Sequence, residues 1–381
     1  MKILIDATNL RSGGGLTHLS NILKYVDPLL SSVTEIVVIG SKLTLSKIED
    51  RDFIKKIHYP VFEKNYLIRA IWLNFKLNQL IIKFKSNLLF APGGSLYTNF
   101  RPAVAMSRNS LPIELNEAKR YGFSLIFLRL LILRFVQKKT FYKSDGFIFL
   151  TEYSKKNFYK LGWLSKKTIK PKVCVIPHGL DHFKKSHQYK SRIVSNFTKK
   201  DPFKIIYVSI IDVYKHHDKV IKAIIELNEQ GLFVELNLVG PYYEPSFKKI
   251  LNIINKLPYK LQLNIKYHGK LNKNEQIKIY EKMDLCLFAS SCENMPNILL
   301  EGMSTGLPII SSDRGPMPEI LKSAGKYFDP ESVQSISEAI KLMYNSQVLR
   351  KENSIKSYNL SQMYSWDRCA KETFLFLNKI K

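Results

Sequence analysis

A chain of 381 residues with 45% apolar side chains, 22 Phe and 20 Tyr has enough hydrophobic material for two or three domain cores, which excludes an intrinsically disordered protein. Its 17 Gly and 16 Pro are too few for a collagen-like or linker composition. The formal charge of +27 is unevenly spread: residues 1–185 carry 31 basic and 12 acidic side chains (+19), and residues 186–381 carry 28 and 20 (+8). An anionic partner, whether a phosphorylated substrate, a membrane or a nucleic acid, is therefore expected chiefly of the first half.

Taken in chain order, short apolar runs predict strands at 2–6, 35–39, 87–90, 103–106, 146–150 and 172–176, with amphipathic segments between them. That alternation is the pattern of βα units on a parallel sheet. Asp6 interrupts the first run, so it does not read as an export signal, and a cytoplasmic protein is expected. Gly13, Gly14 and Gly15 follow, between the first strand and a helical stretch starting near Leu16. A loop without side chains lets backbone amides approach a phosphate or sugar. The run lacks the G-x-G-x-x-G spacing and strand-end acid of a dinucleotide fingerprint. Asp50-Arg51-Asp52 lies in a charged loop rather than at a strand end and reads as surface.

Between Glu63 and Asp145 there are fourteen Lys or Arg and two acids, Glu114 and Glu117. Within this region 64–85 and 119–143 mix Trp, Phe and Leu with the cations, which fits helices lying on an anionic membrane. The most apolar stretch, 121–136, is broken by Arg129 and Arg134 and is too short to cross a bilayer. No nucleic-acid-binding motif accompanies the charge, and no nucleic-acid partner is expected.

The polar, basic segment 186–202 has the composition of a domain linker. A second series of strands is predicted at 204–209, 233–239, 263–268, 285–289 and 308–311. Ligands of open parallel sheets sit beyond the carboxyl ends of strands. After the strand at 285–289 comes S-S-C-E-N-M-P-N-I-L-L-E-G-M-S-T-G-L-P, which reads as a loop and a helix over 296–305, with Pro296 in its first turn and Gly306 beyond its end. Glu293 lies in the loop and Glu301 about one and a half turns into the helix, leaning back towards its start. Carboxylates accept hydrogen bonds in pairs, so two of them beside an anion-favouring helix end suit a nucleotide sugar. Cys174, Cys286, Cys292 and Cys369 form neither a CxxC pair nor a zinc pattern.

The string C-E-N-M-P-N-I-L-L-E-G-M-S-T-G-L-P-I-I-S-S-D resembles the donor motif of family 4 (group 1) glycosyltransferases. Supporting pieces are Gly13-Gly14-Gly15, S-D-G-F-I-F-L-T-E-Y-S at 144–154, V-I-P-H-G-L-D at 175–181 and Y-V-S-I-I-D-V-Y-K-H at 207–216. The resemblance implies an α/β protein of the GT-B fold, with two Rossmann-like domains facing each other across a cleft. Residues 1–185 would form the acceptor-binding domain, with a C-terminal helix at about 363–381 packing back on it, and 203–362 the donor-binding domain. It also implies that Glu293 contacts the transferred sugar and Glu301 the ribose, with Asn294, Met295, Pro296, Asn297 and Ser209 lining the donor site. Lys215 matches a lysine that holds the diphosphate, but Ile210 stands where the family has an arginine. Where relatives place a histidine near the donor sugar, this chain has Arg108 and Asn109. His178 reads as a structural histidine.

The function so implied is a retaining transfer from a UDP- or GDP-linked sugar to a lipid-linked or oligosaccharide acceptor, in synthesis of a surface polysaccharide such as an O-antigen or capsule. The enzyme would lie peripherally on the inner face of the cytoplasmic membrane, with no metal or other cofactor. The alternatives are a sugar-nucleotide epimerase, a phosphorylase, or a catalytically weak relative that binds glycan.

Overall fold

The computed structural model describes residues 1–163, 170–181, 192 and 197–380. The chain divides into two compact units, one of Met1–Ala118, Gly122–Gly179 and Tyr364–Lys381, the other of Lys119–Tyr121 and Leu180–Met363.

The first unit holds seven strands: β1 (Lys2–Asp6), β2 (Glu35–Ile39), β3 (Ile54–Ile57), β4 (Leu88–Ala91), β5 (Ala103–Met106), β6 (Gly146–Phe149) and β7 (Lys172–Val175). They form one sheet in the order β3-β2-β1-β4-β5-β6-β7, with every pair parallel. The second unit holds β8 (Phe203–Val208), β9 (Val234–Val239), β10 (Ile265–Tyr267), β11 (Leu285–Phe288), β12 (Ile309–Ser312) and β13 (Lys326–Phe328), ordered β10-β9-β8-β11-β12-β13 and again parallel. The central strands are buried on both faces, as the sequences Ile3-Leu4-Ile5 and Leu285-Cys286-Leu287-Phe288 require. In both sheets the strand order reverses beside the first strand, so the crevice that admits a ligand lies at the ends of β1 and β4, and of β8 and β11.

Two strands escape the sequence reading, β3 and β13. Both are edge strands, Ile-Lys-Lys-Ile and Lys-Tyr-Phe, and edge strands carry lysines that break the apolar run. The boundary of the first unit also differs from the expected 185, because it ends at Gly179. There the chain presses on the final helix, Trp366–Ile380: a Cβ on Gly179 would stand 2.3 Å from the Trp366 nitrogen. Most of the expected linker 186–202 falls outside the described residues. Of its described part, Phe197 packs on Phe203 and Tyr344, and the Arg192 Nε donates to Asp284 at 2.7 Å, so these residues belong to the second unit.

Right-handed crossovers fix which helices share a face of the first sheet. Connections stepping from β1 to β3 cover one face, and those stepping from β3 to β4 and from β5 to β6 cover the other. Helices Tyr66–Lys83 and Leu125–Lys143 thus lie on one face. In keeping with this, Leu73, Leu77 and Ile81 of the first share a core with Phe141 of the second and with Phe147 and Phe149 of β6.

Candidate functional site

The second unit gathers the chemistry at its switch point. β8 ends at Val208 and leads through Ser209 into a 3-10 turn, Val213–Lys215, that is capped by the Asp212 carboxylate accepting from the Val213 amide at 2.8 Å. His216 adopts a left-handed conformation (φ 51°) and so breaks the turn before the helix His217–Glu229. This directs Lys215 towards the loop after β11. Its ammonium donates to Glu293 Oε1, and the side chains are only 7% and 17% exposed. The Tyr214 and Phe288 rings flank the ammonium at 5.1 Å each, an arrangement that favours a cation.

Hydrogen bonds hold the two loops together. The Ser291 amide donates to the Tyr214 carbonyl at 2.9 Å, His216 Nε2 lies 2.9 Å from Ser291 Oγ, and the Tyr207 hydroxyl donates to the Lys215 carbonyl at 2.8 Å. His217 stacks on Tyr207 at 4.6 Å, and burial pushes its pKa down to about 3, so it is neutral at ordinary pH. Gly240, at the end of β9, has φ +140°, and a Cβ there would come 2.1 Å from the Ser209 carbonyl. Only glycine lets the β8 and β9 loops approach so closely.

Glu301 sits on the helix Asn297–Ser304 that follows β11. Burial pushes its carboxyl up to about 7; Lys273 opposes the shift and Asp181 adds to it, and those two are themselves paired at 3.5 Å. Pro296 occupies the N-cap rather than the first turn, with an extended backbone (ψ 103°). Asn294 and Met295 are buried in the preceding loop. Asn297 opens the helix, and its buried Oδ1 has no hydrogen-bond partner among the described residues. The Ser209 hydroxyl is turned inward, 3.1 Å from the Ile210 carbonyl and 3.2 Å from His217 Nε2. Ile210 is partly exposed and supplies no charge.

In the first unit the glycine run takes another form than a loop. Only Gly13 precedes the helix, as its N-cap with φ 66°, while Gly14 and Gly15 lie within Gly14–Tyr25. A Cβ on Gly15 would come 2.9 Å from the Leu10 side chain, so this glycine makes room for Leu10, with the Arg108 guanidinium at ordinary contact distance, 3.6 Å. Burial pushes Arg108 down to about 10. Asn109 is exposed, and its side chain accepts from the Leu111 amide at 3.1 Å, a local turn. His178 and His18 are buried with their Nδ1 atoms 2.7 Å apart, one donating to the other, and both rings pack on Trp366. Asp50 pairs with Lys56 on the surface, while Arg51 donates to the carbonyls of Leu23, Lys24 and Val26 at the end of the first helix.

The structure thus joins Lys215 to Glu293 and sets Glu301 on the adjoining helix, while Gly15 and Arg108 meet in the first unit. Asp212 and His216 lie in the quoted 207–216 piece and Ser291 in the loop before Glu293, without a role read for them; Gly240 lies outside the quoted pieces, and its place as the glycine closing the 233–239 run is the signal for it.

Residues 190–360 match the model of the family described as glycosyl transferases group 1. The chain is 27% identical over 192 residues to the GtfA subunit of the UDP-N-acetylglucosamine--peptide N-acetylglucosaminyltransferase of Streptococcus pneumoniae, covering 49% of this chain and 35% of that protein. It is 26% identical over 109 residues to the O-antigen chain mannosyltransferase B of Escherichia coli, covering 29% of each. The chain spans about a third of the length of the curated relatives it matches. Among solved structures, HepE of Anabaena in complex with UDP and glucose superposes with a TM-score of 0.69 at 17% identity, covering 98% of both chains. With two parallel doubly wound units and solved glycosyltransferase structures superposing over nearly its whole length, the chain has the GT-B fold, and its residues 190–360, which include the paired glutamates, are similar to the group 1 glycosyl transferases.

Proposed function

We propose that the protein is a retaining glycosyltransferase that moves a sugar from a nucleotide diphosphate sugar to a hydroxyl of a lipid-linked glycan in surface-polysaccharide synthesis. The observation that carries the reading is the contact between Lys215 and Glu293 across the ends of β8 and β11, with Glu301 on the adjoining helix. A UDP-N-acetylglucosamine-dependent relative, an O-antigen mannosyltransferase relative and a UDP-binding structural neighbour support the same chemistry.

In this reading Lys215 exchanges the Glu293 carboxylate for the donor diphosphate and neutralises the charge that grows on it as the sugar leaves. Glu293, released, accepts hydrogen bonds from the sugar hydroxyls, and Glu301 accepts from the ribose. The bond from the anomeric carbon to the diphosphate oxygen breaks while the acceptor oxygen attaches to the same face. The acceptor proton passes to the departing diphosphate. No protein nucleophile, metal ion or other cofactor is required. The base is uracil or guanine, the acceptor is a lipid-linked oligosaccharide, and the enzyme works at the inner face of the cytoplasmic membrane.

Glu293→Gln keeps the size of the side chain and removes its charge. It should lower transfer from the best nucleotide sugar by about 10²-fold or more, with UDP or GDP binding nearly unchanged. Undiminished transfer by that variant would remove Glu293 from the mechanism, and epimerised nucleotide sugar formed without acceptor would replace the reading with an epimerase.

A further inference from the structure

Two helices of the first unit carry a second apolar face that is exposed among the described residues. In Tyr66–Lys83 the buried positions Arg69, Leu73, Leu77, Leu80 and Ile81 face the sheet. At about 100° per residue, Leu67, Ile68, Ile71, Phe75 and Ile82 fall together on the opposite side, and all five are exposed, Phe75 to 70% and Ile82 to 74%. Leu125–Lys143 repeats the pattern. Leu130, Thr140 and Phe141 face inward, whereas Leu125, Leu128, Leu131, Ile132 and Phe135 line the outer side. Phe123, just before that helix, is fully exposed. Ordinary surface helices present charged and polar groups there, and contiguous exposed apolar area of this extent marks an interaction site.

Both helices cover the same face of the sheet, and the loop after β4 touches each: Thr98 Oγ1 hydrogen-bonds to Asn78 of the first, and its carbonyl accepts from Lys143 of the second at 3.4 Å. The outer faces therefore look out from one side of the unit. Beside the first lies a cavity of about 430 Å³ lined by Val61, Ile68, Ile71, Trp72, Phe75 and Lys76. Five of those six residues are apolar, a lining suited to a hydrocarbon chain. The rim is cationic. Lys64, Lys76, Lys83 and Lys85 surround the first helix, Arg129, Lys138 and Lys139 lie on the second, and all are exposed with no acidic partner among the described residues.

From the apolar faces, their cationic rim and the hydrocarbon-lined cavity, we infer that this side of the first unit docks on an anionic phospholipid bilayer, with one acyl chain entering the Trp72–Phe75 cavity. Exposed apolar side chains enter the acyl boundary while lysines meet the headgroups. A soluble protein partner would need matching acids, whereas a lipid surface supplies charge and hydrocarbon together. No helix among the described residues is long and apolar enough to cross a membrane, so contact is made by lying on it. The inference deepens the lipid-linked acceptor proposed above and names the surface that would reach it.

The test is flotation of the full chain with vesicles of phosphatidylglycerol and phosphatidylcholine, without any sugar substrate, so that its outcome is separate from that of the transfer reaction. Vesicles with anionic lipid should carry the protein, neutral ones should carry at least tenfold less, and high salt should release most of it. Ile71→Glu with Phe75→Glu, and separately Lys138→Glu with Lys139→Glu, should each lower the bound fraction at least tenfold while leaving thermal melting and UDP or GDP binding unchanged. Equal binding by the variants and the parent, no binding by the parent, or a concentration-dependent dimer abolished by the Ile71 and Phe75 changes would each overturn it, the last in favour of a second copy of the chain.

Discussion

At the end of β1 the polar groups bond within the fold around the strand, whereas at the end of β8 a cation and a carboxylate from two loops pair with each other. Both strands stand beside the reversal of order in a parallel sheet. Yet after β1 the Asp6 carboxylate accepts from Thr8 at 2.7 Å, Arg69 donates to the Thr8 carbonyl at 3.0 Å, and His18 is spent on His178. After β8 and β11 the charges meet as a single ion pair, Lys215 with Glu293, backed by aromatic rings and hydrogen-bonded loops. Topology alone makes two crevices. What distinguishes the second is that hydrogen-bonded loops bring Lys215 and Glu293 together there, with Glu301 on the adjoining helix.

Three substitutions sharpen that contrast. Lys215→Ala removes the one cation at the β8 loop and leaves Glu293 without its counter-ion. Turnover of the nucleotide sugar should fall by roughly 10²- to 10³-fold, measured as kcat/KM, and a loss below threefold would show that another cation carries the diphosphate. An intermediate effect is expected of Glu301→Gln. Because burial raises the folded pKa from 4.5 to about 7, the charged form is the costly one. The cost is absent below pH 4.5, grows through the interval and is complete above about 7. The variant should therefore match the parent near pH 4 and exceed it in chemical-denaturation stability at pH 8 by roughly 1–3 kcal/mol. At the same high pH it should bind UDP or GDP about tenfold more weakly, having lost a doubly accepting carboxylate. Equal stability at both pH values would refute the assigned burial. The smallest change is expected of Ile210→Arg: the side chain is 37% exposed, so an arginine fits without disturbing the core, and it should tighten nucleotide-sugar binding a few-fold in low salt. Lost binding would mean that Ile210 packs against the ligand.

Much of this was written in the residues. Central strands read as uninterrupted apolar runs because a parallel sheet buries both faces, and Glu293 and Glu301 were legible through their place in a long family-like string. The lysine-bearing edge strands β3 and β13 were not, since one exposed edge relaxes the demand for apolar side chains. Gly14 and Gly15 read as loop because glycine disfavours helix interiors, but both lie in the helix, where the Leu10 side chain occupies the space a Cβ on Gly15 would need. Ser209, read as lining the donor site, has its hydroxyl turned towards His217.

The sequence by itself determined the βα rhythm, the two-unit division, the pair of glutamates and the uneven charge, all of which depend on local pattern and composition. Only the tertiary structure decided that Lys215 meets Glu293, that Glu301 titrates near neutrality and that the apolar residues of two helices look outward from one side. Those facts depend on burial and on contacts between residues far apart in the chain, such as the 78 positions separating Lys215 from Glu293, and local pattern carries no record of them.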